Sequence, residues 1–391
     1  MAIGDTDLDA HVRAGATTVL HRAWQPQLGY CRPNRRTYPH LWLWDSCFHS
    51  IAWSAIGDLR ALRELEAVFA GQLANGFLPH MRYGRRTYGR GPLPTVSSFT
   101  QPPVYARALK AAADAGVSSS DADRRELFAS LAEKASRALD ALWRERMRAG
   151  LLVIVHPWEA GTDDSPRWDS WVGSSSWHRR LWTKVDHELL ATTVFSADGV
   201  AVDNPQFVVA PASFNAISAD AAITLGELLG DESWLARGRD LAVNLDNAAW
   251  DDEEQLWSDV AFVGNRDSLR IPTADAVLPA LCTPDLAKAE KALAQLVNPD
   301  RFGAAYGPRF VLRSEPAYDP DRYWRGPAWP QLNYLYAVAA RRCQSTDLVD
   351  ELSTVTKRGV LRAGFAEYWN PETGRGLGAK PQTWAAVAAA L

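Results

Sequence analysis

Cysteine is scarce and poorly placed for chemistry. The four residues, Cys31, Cys47, Cys282 and Cys343, form no CxxC pair and no Cys/His spacing of zinc type. Each stands in an apolar or mixed stretch, so buried free thiols are expected rather than disulfides. The eight histidines contain no HExxH pair, so no metal and no other cofactor is expected. Charge of one sign is also lacking. A formal net charge of −4 over 391 residues gives no general attraction to nucleic acid or to an anionic membrane. No apolar run approaches the roughly 20 residues that span a bilayer. The opening MAIGDTDLDAHVRAG has no apolar core of signal-peptide type. A soluble, cytoplasmic protein with a small-molecule partner is expected; its oligomeric state is left open.

Tryptophan, by contrast, is abundant: 17 residues. It brings wide, rigid surface with one polar handle, which suits core packing and also suits the flat faces of sugars. Most of the chain reads as helix at period 3.6. LRALRELEAVFAGQL puts Leu59, Leu62, Leu65, Val68, Phe69 and Leu73 on one face. SADAAITLGELLG and DESWLARGRDLAVNL are two helices split at Gly230, a C′ glycine, with Asp231 as the next N-cap. Further helices are expected near 5–23, 42–56, 102–116, 122–148, 168–183, 284–297, 326–342, 346–363 and 382–391. Stretches rich in Gly, Pro and aromatics lie between alternate helices, with short β hairpins at GLLVIVHP and EEQLWSDVAFVG. No low-complexity linker divides the chain. Residues 1–391 are therefore expected to form one all-α domain, an α/α toroid with its loops collected on one face. An α-solenoid would need a fixed-period repeat, and none is visible.

Five stretches could carry chemistry. In YPHLWLWDSCFHSIAW, Asp45 sits in the first turn of a helix beside Trp42 and Trp44. It either satisfies the helix dipole or accepts sugar hydroxyls above an aromatic floor. GFLPHMRYGRRTYGRGPLPTVSSFTQPP holds four arginines within 82–90. That is either a solvated basic loop or a mobile lid over 82–99; Gln101 follows, aimed by two prolines. In HPWEAGTDDSPRWD, Trp158 and Trp168 supply low-dielectric walls that raise a carboxyl pKa, as a general acid near neutral pH requires. Asp163, Asp164 and Ser165 could equally cap the helix that follows Pro166. In GFAEYWNPETGRGLGAKPQTW, Glu367 lies among Phe365, Tyr368 and Trp369, a candidate second carboxylate unless it pairs with Arg362 or Arg375. Glu372, in the turn, is expected to be solvated. In YDPDRYWRGPAWPQLNYLY, Tyr323, Trp324 and Trp329 surround a Gly-Pro turn and project before the helix begins.

Taken in order from about residue 38 to the C-terminus, YPHLWLWDS, GFLPHM, TQPPV, HPWEAGTDDSPRWD, SFNA, YWRGPAWPQ and AEYWNPETGRGLGA resemble glycoside hydrolase family 63, in its bacterial mannosylglycerate/glucosylglycerate hydrolase branch. The resemblance implies an (α/α)6 barrel and inverting hydrolysis of an α-glycosidic bond. It places the general acid on Asp163 and the general base on Glu367. Sugar contacts fall on Tyr38, Trp42, Trp44, Asp45, Phe77, Gln101, Gly161, Trp324 and Trp329, and glycerate contacts on Tyr323 and Gln382. Three features depart from the family pattern, the first being that the lid at 82–99 is short. TDDS replaces the more usual MDNS, which sets Asp164 beside the acid, and 181–210 does not match cleanly, so the family's glycerate-binding arginine is not assigned there. Glu159 and Asp169 are expected to be structural. The alternatives are an α-glucosidase acting on neutral disaccharides, a sugar epimerase or isomerase built on His40, His49, His80, His156 or His178, and a silent carbohydrate-binding protein.

Overall fold

The computed structural model describes residues 5–83, 91–118, 121–173, 179–264 and 267–391. Helix α1 (Asp5–Ala23) buries a single stripe, Leu8, Val12, Ala16 and Leu20, spaced by four. By contrast α2 (Leu43–Ala55) is buried from Leu43 to Ser54, and so can only stand inside a layer. That contrast recurs along the chain. α3 (Arg60–Phe69), α5 (Ala122–Arg146), α9 (Glu232–Ala249), α10 (Leu286–Ala294) and α12 (Thr346–Ala363) each keep an exposed face. α8 (Ala212–Leu229) and α11 (Pro330–Arg342) are buried along most of their length.

The buried helices close a ring. α2 packs on α4 (Tyr105–Asp114), α4 on α8, and α8 on a 3-10 helix, Ala274–Leu281. That helix packs on α11, α11 on a second 3-10 helix, Thr383–Ala390, and the latter returns to α2. α1, α3, α5, α9, α10 and α12 cover this ring from outside. Among the described residues, six inner and six outer helices, paired alternately, make an (α/α)6 barrel. The expected splitting of α8 from α9 is present: Gly230 is left-handed at φ +65°, and Asp231 accepts from the amides of Ser233 and Trp234.

Direction along the chain determines where function can be built. Returns from an inner to an outer helix are short, for example 230–231 and 343–345. Crossings from an outer to an inner helix are long: 24–42, 70–104, 147–211, 250–273, 295–329 and 364–382. All long crossings therefore gather at the end where the inner helices begin. One apolar cluster runs from Val12 to Ala388 beneath them.

Three expectations are corrected. The helix expected over 168–183 is broken, because α6 (Asp169–Val172) stops at left-handed Gly173 and α7 (Arg179–Thr192) begins separately. The ring helix at Ala274–Leu281 was not expected; Pro279 inside it lacks a donor and holds it in short 3-10 form. EEQLWSDVAFVG does not pair with itself. Leu256–Trp257 pairs with Trp250–Asp251, and Val260–Val263 pairs with Val208–Ala210. The lid expected at 82–99 lies partly outside the described residues. Its described flanks are anchored, with Arg82 paired to Leu41 and bridged to Val96. Among the described residues no helix is long and apolar enough to cross a membrane.

The α8–α9 contact depends on Gly238. A Cβ there would lie 2.9 Å from the Ala219 carbonyl oxygen and 3.0 Å from the Ile223 amide. Gly238→Ala gains about 1 kcal/mol of helix propensity but must push two backbones apart, which costs about 1–3 kcal/mol. The net expectation is a lower thermal-unfolding midpoint by circular dichroism; an unchanged or raised midpoint would show that α8 and α9 can separate freely.

Candidate active site

The acidic stretch 156–169 divides its work. His156 Nδ1 accepts from the Trp158 amide (3.2 Å) and so starts the 3-10 turn Pro157–Ala160. Gly161 ends that turn at φ +74°, and a Cβ there would sit 2.7–2.9 Å from the Trp44 ring. Only glycine lets the chain pass the indole this closely. The following turn, Pro166–Trp168, is capped by Ser165, whose Oγ accepts from the Arg167 amide. With that duty taken, half-buried Asp163 lines a cavity.

Two of the other acids hold the loop in place. Glu159, fully buried, takes both terminal nitrogens of Arg146 at 2.6 and 2.8 Å, and it also accepts from the amides of Thr100 and Val155. This one carboxylate therefore links the acid loop to the segment that presents Gln101. Asp169 takes Arg325 in a bidentate pair at 2.6 and 2.7 Å, tying the same loop to the Tyr323–Trp324 segment.

Glu367 arrives from the last long crossing. Its partners are the Tyr38 hydroxyl (2.8 Å) and the Ala379 amide (2.7 Å), rather than Arg362 or Arg375; Arg375 pairs instead with Asp321. Glu372, in the turn and 35% exposed, is partly solvated as expected but is also paired: Arg309 donates to it at 2.6 Å and Tyr318 at 3.3 Å.

The cavity has a volume of about 490 Å³. Ten of the thirteen residues that the resemblance assigns to the site line it: Tyr38, Trp42, Trp44, Asp45, Gln101, Gly161, Asp163, Tyr323, Glu367 and Gln382. Phe77, Trp324 and Trp329 do not. Phe77 is buried behind the wall with Ala141 and Val200. Trp324 and Trp329 stack at 3.5 Å and 10° as a backing layer, Trp329 also meeting the Tyr323 ring at 5.3 Å. The wall also includes Thr37, Pro39, His40, His80, Met81, Trp158 and Trp384. Trp384 had a readable signal: like Trp44, it lies in the first turn of an inner helix, where side chains face the cavity.

Withdrawal from water dominates the electrostatics. Burial raises the Asp163 pKa well above the usual carboxylate range, and the Asp164 and Asp186 carboxylates raise it further. Its own backbone amide and the Trp324 indole act in the opposite direction. Glu367 is pushed up to about 7 by burial, held back by the donated bonds from Ala379 and Tyr38. Asp45, buried in the first turn of α2, is raised by burial and then by Glu367; Gln382 Nε2 approaches it at 3.4 Å. Gln101 Oε1 accepts from the Trp44 amide at 3.3 Å, which turns its amide group at a fixed angle.

The sequence profile of the mannosylglycerate hydrolase MGH1-like glycoside hydrolase domain matches residues 38–385. The mannosylglycerate hydrolase of Thermus thermophilus is 31% identical, with 91% of this chain and 95% of that protein aligned. The glucosylglycerate hydrolase of Mycolicibacterium hassiacum is 26% identical, over 90% of this chain and 91% of that protein. Among solved structures, a GH63 mannosylglycerate hydrolase from Thermus thermophilus in complex with glucose superposes with a TM-score of 0.80 at 28% identity, covering 97% of this chain and 99% of that one. The same enzyme in complex with Tris and D-glycerate gives 0.79 at 28% identity, over 97% and 99%.

Arg146→Met leaves Glu159 buried with only backbone donors. Removing one partner of such a pair costs about 3–5 kcal/mol, so this variant should melt well below wild type in near-UV circular dichroism. A melt within error of wild type would show that the pair does not hold the loop.

Proposed function

The chain belongs to the mannosylglycerate hydrolase MGH1-like glycoside hydrolase family, and on that footing we propose that it cleaves the α-glycosidic bond of a small glucoside or mannoside, with glucosylglycerate and mannosylglycerate as the leading substrates, by inversion. The observation that carries this reading is the pair Asp163 and Glu367, two carboxyl groups on one aromatic wall in unlike environments. Asp163, kept protonated by burial and by neighbouring negative charge, donates to the leaving glycosidic oxygen. Glu367 works ionised and takes the proton from a water that attacks the anomeric carbon from the opposite face. The Tyr38 hydroxyl and the Ala379 amide stabilise its charge. Trp42, Trp44 and Trp384 offer flat apolar faces to the ring, while Asp45 and Gln101 meet its hydroxyls. A glycerate group would be received by the Tyr323 hydroxyl and the Gln382 amide, which both line the cavity. The same reading takes residues 1–391 as one catalytic unit, supported by the continuous core from Val12 to Ala388.

Turnover of glucosylglycerate, mannosylglycerate, kojibiose and trehalose tests the substrate assignment. Equal rates on the neutral disaccharides would overturn the anionic aglycone. Proton NMR of early product tests inversion, which requires the β-anomer first; α-anomer first would mean retention. Asp163→Asn should lower kcat by about 10²–10⁴-fold with substrate still bound, and near-normal turnover would remove Asp163 from its role.

The pH profile follows from the two environments. Activity is lost as pH falls through the Glu367 pKa of about 7, because the base becomes protonated. It is lost at higher pH as Asp163 ionises. Tyr38→Phe deletes a bond donated to the ionised form of Glu367, so its pKa should rise and the acidic limb should move to higher pH. An unmoved limb, or one that moves down, would mean that Tyr38 does not tune the base.

A further inference from the structure

Arg167 lies behind the cavity wall, buried at 2% exposure, and is not part of the surface a substrate would meet. All three of its guanidinium nitrogens are engaged. Nε donates to Ser165 Oγ at 3.2 Å, and one terminal nitrogen donates to Thr162 Oγ1 at 2.7 Å. That same nitrogen reaches Asp275 at 2.8 Å, while the other takes both oxygens of Asp259 at 2.9 and 3.1 Å. Thr162 and Ser165 flank Asp163 and Asp164 on either side. The two distant acids belong to the barrel rim. Asp259 accepts from the amide of Ala212, the first residue of α8, and Asp275 stands in the first turn of the inner 3-10 helix Ala274–Leu281.

We propose that Arg167 is the positioning residue of the general acid: it fastens the short segment Thr162–Ser165 to the starts of two inner helices and so fixes where the Asp163 carboxyl stands. This rests on the assignment of Asp163 made above. The physical reason for arginine is its planar fork of five donors, which can serve two hydroxyls and two carboxylates at once; a lysine has one nitrogen and cannot span them. Trp168 adds a second strap, donating from Nε1 to the Thr162 carbonyl at 2.9 Å with its ring 5.1 Å from the guanidinium.

The test separates acid positioning from general damage by changing the leaving group. With an O-glycoside the C1–O bond breaks, the leaving oxygen takes the Asp163 proton, and a water oxygen bonds to C1 while its proton passes to Glu367. With the matching α-glycosyl fluoride the C1–F bond breaks and fluoride departs without needing that proton. Wild type, Arg167→Lys and Thr162→Val are assayed on both substrates. A catalytic group displaced by about 1 Å loses on the order of 10²-fold, so Arg167→Lys should lower kcat on the O-glycoside by about that factor and change it little on the fluoride. Thr162→Val, which removes one strap and keeps the side-chain shape, should show the same split to a lesser degree, and it carries the test if Arg167→Lys does not fold. Equal losses on both substrates, or no loss in either variant, would overturn the proposal. Failure of wild type to cleave either substrate would instead overturn the hydrolase reading on which the proposal rests.

Discussion

The site depends on guanidinium–carboxylate pairs buried beneath its loops. Arg146, Arg167 and Arg325 are among the largest fully buried side chains of the protein, and each holds a carboxylate. All four pairs converge on the acidic stretch 156–169, two of them made by Arg167. Such pairs are weak evidence for stability, because desolvation offsets most of their attraction. Their effect here is geometric. A long crossing between helices has no ladder of backbone bonds to hold it, and planar two-point contacts supply the missing constraint. A loop fixed at Glu159, Arg167 and Asp169 can hold one side chain steady between them.

The same withdrawal from water that makes those pairs stiff also separates the roles of the two candidate catalytic carboxyls. Asp163 has like-charged neighbours, Asp164 and Asp186, and stays protonated more readily. Glu367 receives two donated bonds and remains ionisable near neutrality. Burial alone would push both up together; the neighbours set them apart. The barrel contributes by starting inner helices around the cavity, so that positive helix ends face a wall that already holds several carboxyls.

Much of the architecture was legible from local signals. The split at Gly230–Asp231, the helix over 5–23 and the alternation of helices with long aromatic-rich stretches all follow from spacing and turn chemistry. So did most of the cavity wall, because the aromatic-rich stretches that interrupt the helices fall on one end of the barrel. The misses have physical causes. The Ala274–Leu281 helix is too short and too disturbed by Pro279 to show a helical period. The break at Gly173 cuts a pattern that otherwise continues. Trp324 and Trp329 read as exposed platforms from their place before a helix, yet they stack on one another and leave the cavity surface to Tyr323 and Trp384.

By itself the sequence determined most of the helices and which stretches could hold chemistry, since these follow from interactions between residues close along the chain; the ring helix Ala274–Leu281 and the break at Gly173 emerged only with the structure. It could not decide which of four neighbouring acids faces the cavity. That was decided by packing: Arg325 claims Asp169 from 156 residues away, Arg146 claims Glu159, and Ser165 takes the cap. Asp163 is left lining the same cavity as a glutamate 204 residues downstream. Only a closed ring, in which the last inner helix returns to the first, brings those two carboxyls into one cavity.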